Sequence, residues 1–126
     1  MKSLLLIAHG SRRQQSNDEV KEMAEKLKRR CSDEYAIIHA GFLELADPLI
    51  PNGIKMCIDD GATSVTVLPY FLNSGRHVIE DIPNIVNETK KDFPEIDIKI
   101  SSHLGASTLM MDLLISTANS AENITN

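Results

Sequence analysis

The chain has few aromatic residues and few cysteines. Its 126 residues include no tryptophan, two tyrosines and three phenylalanines, so its hydrophobic core must be built mostly from aliphatic side chains. The two cysteines, Cys31 and Cys57, form no C-x-x-C pair, which argues against a disulfide framework and favours reduced thiols in a cytoplasmic protein. A composition of 42% hydrophobic and 25% charged residues suits one compact domain over residues 1–126.

The chain also has fewer basic than acidic residues. Thirteen Lys and Arg residues face eighteen Asp and Glu residues, which gives a formal net charge of -5. A nucleic-acid binder needs a basic face for its phosphate contacts. The apolar run at residues 4–8 is too short for a signal-peptide core or a membrane span. We therefore expect a soluble cytoplasmic protein that binds neither nucleic acid nor membrane.

Several common catalytic and nucleotide-binding motifs are missing. The sequence contains no G-x-x-x-x-G-K-[ST] loop, no G-x-G-x-x-G after its first apolar run and no G-x-S-x-G elbow. These absences argue against a P-loop nucleotide site, a dinucleotide site and a serine hydrolase of the elbow type. Both cysteines fall in predicted helices, where they are expected to serve packing and not thiol catalysis.

Hydrophobic patterning predicts strands that alternate with helices. A continuous apolar run predicts a buried strand at residues 3–8, and segments rich in apolar and β-branched residues predict strands at 35–43 and 63–69. Alternation of apolar and charged residues at 96–100 predicts an edge strand with one exposed face. Helical spacing and Pro or Gly punctuation predict helices at 17–30, from the cap Asp47 and Pro48 to Gly61, from Pro83 onward, and at 107–118. The first of these helices has a predicted Ser16–Glu19 capping box, and residues 119–126 are predicted to be a frayed tail.

The β-α-β-α-β-α-β-α order predicts a doubly wound α/β fold. Its sheet is expected to be mostly parallel and four-stranded, with helices on both faces. In such sheets ligands bind beyond the carboxyl ends of the strands. The residues that follow the first three strands are therefore the candidates for a functional site.

Two histidines and a carboxylate occupy those positions. His9 follows the first strand and Glu44 follows the second. His77 follows the polar loop at residues 70–76, which comes after the third strand. Their convergence at one edge of the sheet predicts a metal site or an acid–base site. A structural role is the alternative for each alone, since a strand-end histidine can cap a loop or bond to the backbone of a helix start.

Other polar residues nearby have weaker claims to function. His103 follows the fourth strand and is a lesser candidate for a substrate contact, whereas His39 is expected to be a satisfied residue on a face of the second strand. Glu80 and Asp81 are expected either to orient His77 or to serve as acidic residues at a helix amino terminus.

Three segments of the chain carry a resemblance to a known family. They read L-L-L-I-A-H-G-S-R, F-L-E-L-A-D-P and P-Y-F-L-N-S-G-R-H-V-I-E-D-I-P. With these segments the chain resembles the small sirohydrochlorin chelatases, the short members of the class II chelatases. The resemblance covers most of the chain. The larger members of the class contain two similar halves, and the resemblance implies that this chain has the flavodoxin-like fold of one half. It therefore implies a homodimer in which each subunit supplies one half.

The resemblance also implies an activity and a set of site residues. The activity is insertion of Co²⁺ or Ni²⁺ into sirohydrochlorin with release of two protons, in cobalamin or coenzyme F430 biosynthesis, without a permanently bound cofactor. By resemblance His9 is the proton acceptor and a metal ligand, and His77 is the second metal ligand. The positions that contact the tetrapyrrole are Glu44, Leu72, Asn73, Ser74, Gly75, Arg76 and His77. Some small members carry a histidine-rich stretch near the carboxyl end, where this chain has only His103.

The residues leave other functions open. A ferrochelatase for sirohaem would use the same site, because Co²⁺, Ni²⁺ and Fe²⁺ all bind imidazole. A metal carrier or tetrapyrrole-binding module without turnover would also use these residues, whereas a flavodoxin-like regulatory domain would leave the two histidines unexplained. Arg12, Arg76 and the loop N–H groups of residues 73–75 are expected to attract the carboxylates of the substrate, or the arginines pair with acidic side chains.

Overall fold

The computed structural model describes residues 1–31 and 33–124. Within these residues the strands are β1 (Lys2–Ala8), β2 (Ile37–Phe42), β3 (Ser64–Pro69) and β4 (Asp97–Ile100). The α-helices of the same residues are α1 (Gln14–Arg30), α2 (Ile50–Asp59), α3 (Ile82–Lys90) and α4 (Leu109–Asn119). A π-helical turn covers His77–Asp81 and a 3₁₀ turn covers Leu104–Ala106.

The strands form one parallel sheet in the order β2-β1-β3-β4, which confirms the predicted α/β fold. Strand β1 lies inside the sheet, and its Leu5 and Ile7 are 0% exposed, as its continuous apolar run predicts. Strand β4 lies at one edge, where buried Ile98 alternates with exposed Asp97 and Lys99. The predicted edge strand is therefore confirmed as well.

Helices cover both faces of this sheet. On one face, Ala24 of α1 joins a cluster with Leu4 and Leu6 of β1. On the other face, Ile54 of α2 and Val86 of α3 belong to the larger apolar cluster. Each of these three helices therefore packs on the sheet through one apolar stripe.

Helix α1 begins earlier than the sequence pattern predicts. It starts at Gln14, and Arg13 occupies the N-cap position without a side-chain cap bond. The predicted capping box of Ser16 and Glu19 is therefore wrong, because Ser16 already lies inside the helix. Asn17, the predicted first residue of the helix, lies within its first turn.

Helix α2 begins later than predicted. Leu49 is its N-cap and Ile50 its first residue, so the predicted cap Asp47 lies in the preceding loop. Pro51 falls in the first turn, where its missing N–H has no helical partner to lose. Gly61 follows the helix with a φ of 109°, which confirms the predicted end.

Both cysteines pack against apolar side chains, as predicted. Cys57 of α2 is 0% exposed, and Cys31, directly after α1, lies against the cluster on the opposite face. Burial raises the pKa of the Cys57 thiol to about 11, although a hydrogen bond with Ser3 acts in the opposite direction. The thiol is therefore protonated at neutral pH.

Helix α4 packs differently from the other three. Its predicted apolar stripe, Leu109, Leu113 and Leu114, is 71%, 58% and 57% exposed, and no residue of α4 is buried. Its main contacts are with the 3₁₀ turn at Leu104–Ala106. None of the helices in the described ranges combines the length and hydrophobicity that a membrane span needs. Residues 125 and 126 of the predicted tail lie outside the described residues.

Candidate functional site

His9 lies just beyond the carboxyl end of β1, in a turn that packs closely on the segment after β2. Gly10 has a φ of 94°, a conformation that favours glycine. The carbonyl oxygen of Glu44 would lie 1.7 Å from any Cβ at Gly10. In addition, the Glu44 N–H donates to the His9 carbonyl oxygen at 3.1 Å. These backbone contacts fix the distance between the segment after β1, which carries His9, and the segment after β2, which carries Glu44.

A buried asparagine in α1 holds the loop that follows His9. The Ser11 N–H donates to Oδ1 of Asn17 at 2.9 Å, and Nδ2 of Asn17 donates to the Ser11 carbonyl oxygen at 2.8 Å. Asn17 is 3% exposed, so both bonds are shielded from water. Sequence reasoning missed this role, because no local pattern separates an asparagine that bonds back to a loop from one that opens a helix.

His77 opens the π-helical turn that precedes α3. The Ile82 N–H bonds to the His77 carbonyl oxygen, and the following residue, Pro83, has no N–H. The turn places Nδ1 of His77 2.7 Å from Oδ2 of Asp81. Because a carboxylate can only accept a hydrogen bond, Nδ1 of His77 is the donor, and the Nε2 lone pair remains available to a ligand.

The two predicted histidines meet at the carboxyl edge of the sheet. Their ring centroids are 4.7 Å apart with an interplanar angle of 88°, and Nε2 of His9 is 2.9 Å from Oε1 of Glu44. The side chains of His9, Glu44 and His77 are 43%, 57% and 47% exposed. In the described part of the chain, no group of three or more His, Cys, Asp or Glu side chains forms a ready metal cage. The candidate centre is therefore an open pair of imidazoles with a carboxylate beside it.

A cavity of about 270 Å³ adjoins this cluster. It is lined by Leu43, Glu44, His77, Asp81, Asn84 and Ile85. A larger cavity of about 560 Å³ lies between α1 and β2 and includes His39. Nε2 of His39 is 2.6 Å from Oδ2 of Asp60, which fits its interpretation as a satisfied residue. We place the site at the smaller cavity, because its lining includes His77 and Glu44, the two side chains that contact His9.

The loop after β3 is open to solvent. All of its predicted substrate-contact residues, numbers 72–76, are exposed. Nε of Arg76 is 3.7 Å from Oε2 of Glu80. Of the two acidic residues considered as partners of His77, Asp81 therefore contacts it and Glu80 lies beside the arginine. The Gly105 N–H donates to the Phe71 carbonyl oxygen at 3.2 Å. This hydrogen bond connects the loop to the 3₁₀ turn that precedes α4.

Known proteins resemble this chain in sequence and in fold. The CbiX family model matches residues 3–121. A chloroplastic sirohydrochlorin ferrochelatase of Arabidopsis thaliana is 34% identical over 111 residues, which cover 88% of this chain and 48% of the relative. A sirohydrochlorin cobaltochelatase of Methanococcus maripaludis is 45% identical over 86 residues, which cover 68% of this chain and 58% of the relative.

Among solved structures, the sirohydrochlorin chelatase SirB from Bacillus subtilis subspecies spizizenii, in complex with cobalt, matches with a TM-score of 0.82 and 25% identity. The match covers 94% of this chain and 50% of SirB. The chain thus spans about half the length of these three relatives. Because the family model matches nearly the whole sequence, the chain belongs to the CbiX family.

Proposed function

We propose that this chain is a sirohydrochlorin chelatase that inserts Co²⁺ or Ni²⁺ into the tetrapyrrole and releases two protons. The observation that carries this proposal is the meeting of His9 and His77, with ring centroids 4.7 Å apart, at the carboxyl edge of a parallel sheet. The name of the Methanococcus maripaludis cobaltochelatase and the cobalt complex of SirB support the choice of substrate and of cobalt.

The two imidazoles suit transient binding of the substrate metal. Imidazole has a reference pKa of about 6.5 and in its neutral form binds borderline ions such as Co²⁺ and Ni²⁺. Asp81 keeps the Nδ1 proton of His77 on the side away from the ion, because its Oδ2 lies 2.7 Å from Nδ1 and accepts a hydrogen bond from it. Nε2 then binds the metal. Two ligands leave several coordination positions open for the four pyrrole nitrogens. A closed site of four protein ligands would retain the ion.

The same cluster receives the protons that the ion displaces. Insertion exchanges two pyrrole N–H protons for one divalent ion, so two protons must leave the macrocycle. His9 accepts the first when the ion moves from its ring to the pyrrole nitrogens. Glu44, whose Oε1 lies 2.9 Å from Nε2 of His9, accepts the second. Because its side chain is 57% exposed, Glu44 then passes the proton to water.

The surroundings of the histidines fit a flat, carboxylate-rich ligand. Leu72 and Ile79 are 65% and 64% exposed, and they offer apolar contact to the faces of the ring. Arg76, with 81% of its side chain exposed, attracts a substrate carboxylate. A cavity of about 270 Å³ is smaller than the range of about 300–1,000 Å³ that is usual for ligand pockets. We therefore propose that two copies of the chain form a homodimer that together encloses the macrocycle, as expected for a chain that covers 50% of SirB.

Metal insertion into sirohydrochlorin is tested by mixing the protein with the tetrapyrrole and Co²⁺ and following the visible spectrum. His9→Ala and His77→Ala are each expected to lower the insertion rate by about 100-fold or more with the fold intact. His39→Ala is the matched control, because it removes another histidine that pairs with a carboxylate, Asp60 at 2.6 Å, outside the site. Full activity of both site variants would contradict the assignment. Binding of Co²⁺ without a spectral change of the tetrapyrrole would point to a module without turnover.

A sirohydrochlorin ferrochelatase is the second candidate, favoured by the 34% identity with the Arabidopsis ferrochelatase. Imidazole binds Fe²⁺ as well as Co²⁺ and Ni²⁺, so the ligand set does not choose among them. Insertion rates for the three ions under identical conditions separate the candidates. A higher rate with Fe²⁺ than with Co²⁺ or Ni²⁺ would favour a role in sirohaem synthesis. We also expect the protein in the cytoplasm, where its two free thiols stay reduced; cell fractionation tests this location.

A further inference from the structure

The outer edge of strand β2 is open along part of its length. β2 is an edge strand, because the sheet has the order β2-β1-β3-β4. At its carboxyl end the Phe42 N–H points away from β1 and donates to the Pro48 carbonyl oxygen at 2.9 Å. Backbone groups of successive residues point to opposite sides of a strand. The N–H and C=O groups of Ile38 and Ala40 therefore point outward as well.

These outward backbone groups are shielded from water but have no partner strand. Ile38 is 3% exposed and Ala40 is 8% exposed. Within residues 1–31 and 33–124, the only segment that pairs with the outer side of β2 is at Leu49, opposite Phe42. Backbone groups that are shielded to this degree are nearly always hydrogen-bonded in proteins. The edge therefore presents two donors and two acceptors that a further strand would satisfy.

Ile38 and Ala40 line the larger cavity, which we call the outer groove. Its volume is about 560 Å³, within the range of about 300–1,000 Å³ that is usual for ligand pockets. One wall of the groove is α1, and the other side includes Pro48 and, from α2, Met56. Met56 is 38% exposed, so this second side offers apolar contact. The outer groove and the site cavity share no lining residue.

The α1 wall of the groove carries a stripe of acidic side chains. Asp18, Glu22 and Glu25 line the groove, and their i, i+4, i+7 spacing places them on one helix face over about 10 Å. All three are exposed, and none of them belongs to a salt bridge in the described part of the chain. Of the described lysines and arginines, Lys21 alone lines the groove, and its Nζ lies 5.9 Å from the Phe42 ring centroid. This wall therefore attracts positive charge.

We propose that the outer groove binds an extended peptide segment of a partner protein, which adds to β2 as a fifth strand and carries basic residues at alternate positions. Successive side chains of a strand point to opposite faces of the sheet, and those on one face recur at about 7 Å. Lysine or arginine at every second position then follows the acidic stripe of α1, and the apolar residues between them contact Met56 and Pro48. In strand addition, backbone hydrogen bonds supply affinity and alternate side chains supply specificity.

Fluorescence anisotropy with synthetic peptides tests the charge of the occupant. The probe is a fluorescein-labelled KVKVK peptide, and the matched EVEVE peptide carries the opposite charge. We expect saturable binding of KVKVK alone. Glu25→Gln is expected to weaken this binding about threefold. Glu19→Gln removes an acidic side chain of the same helix that does not line the groove and is expected to leave the affinity unchanged. No saturable binding of KVKVK, equal affinity of the two peptides, or equal effects of the two substitutions would overturn the inference.

Backbone pairing is tested separately from charge. A KVKVK peptide with methylated backbone nitrogens keeps its charges but donates no backbone hydrogen bond, so its affinity is expected to be lower by about tenfold or more. Amide hydrogen exchange, followed by NMR, is expected to slow at Ile38 and Ala40 when the unmodified peptide is added, because their N–H groups then donate to it. Unchanged exchange at both amides, or equal affinity of the methylated peptide, would overturn the inference. So would exchange at these amides that slows with protein concentration alone, since a second copy would then fill the groove.

Discussion

Replacement of Asp81 by asparagine is expected to weaken Co²⁺ binding about tenfold while the fold stays unchanged. Asp81 lies 2.7 Å from Nδ1 of His77 and, as a carboxylate, only accepts hydrogen bonds, so it selects the ring form with a basic Nε2. Asparagine presents either an oxygen or an NH₂ group to the ring and carries no charge. Loss of such a partner commonly costs about 10–100-fold in metal affinity or activity. The side chains of His77 and Asp81 are 47% and 40% exposed, so solvent screens their interaction. We therefore expect a loss of Co²⁺ affinity near the tenfold end of this range.

Calorimetric titration with Co²⁺ measures this change as a tenfold higher Kd, equivalent to about 1.4 kcal/mol. The rate of insertion into sirohydrochlorin is measured in parallel. Glu80→Gln is the matched control, because it removes a carboxylate from the same π-helical turn that lies 3.7 Å from Arg76. We expect its Kd for Co²⁺ to equal that of the wild type. Wild-type affinity and rate in Asp81→Asn, or equal weakening in both variants, would refute the argument that a directed hydrogen bond orients His77.

Three further predictions concern the backbone, the core and the substrate. Gly10→Ala is expected to lower the free energy of unfolding by about 2 kcal/mol or more, because it combines a positive φ with a clash against Glu44. Urea denaturation measures this loss. Gly75→Ala is the control, because its added Cβ meets nothing within 4 Å. Burial raises the pKa of Cys57 from 9.0 to about 11, so its contribution to stability is full below pH 9 and is lost as the pH rises to about 11. This loss is about 3 kcal/mol at most, and urea unfolding at pH 8 and pH 11 should show it in the wild type but not in Cys57→Ala. Arg76→Ala is expected to raise the KM for sirohydrochlorin with little change in kcat, and an unchanged KM would argue against a contact between this arginine and a substrate carboxylate.

The elements of the fold were predictable because their signals are local. The apolar run before His9 forms β1 inside the sheet, and the alternation at residues 97–100 forms the edge strand β4, since burial on two faces or on one leaves a different pattern. The end of α2 was predictable from Gly61 alone, because glycine readily adopts the positive φ that follows a helix. Parallel strands end on the same side of a sheet, so the order of the elements was enough to predict that His9, Glu44 and His77 lie on one edge.

Only the tertiary structure decided the contacts between segments that are distant in the chain. The bond of Asn17 to Ser11 and the start of α1 before Ser16 depend on how the loop after β1 packs. Likewise, the 2.9 Å contact between His9 and Glu44 depends on a close approach of two backbones. The apolar side chains of α4, such as Leu109 and Leu113, face solvent, because the helix follows a turn bound to the loop after β3 and does not fold back on the sheet. A linear pattern shows that a helix face is apolar, whereas the packing of whole elements determines which surface, if any, covers that face.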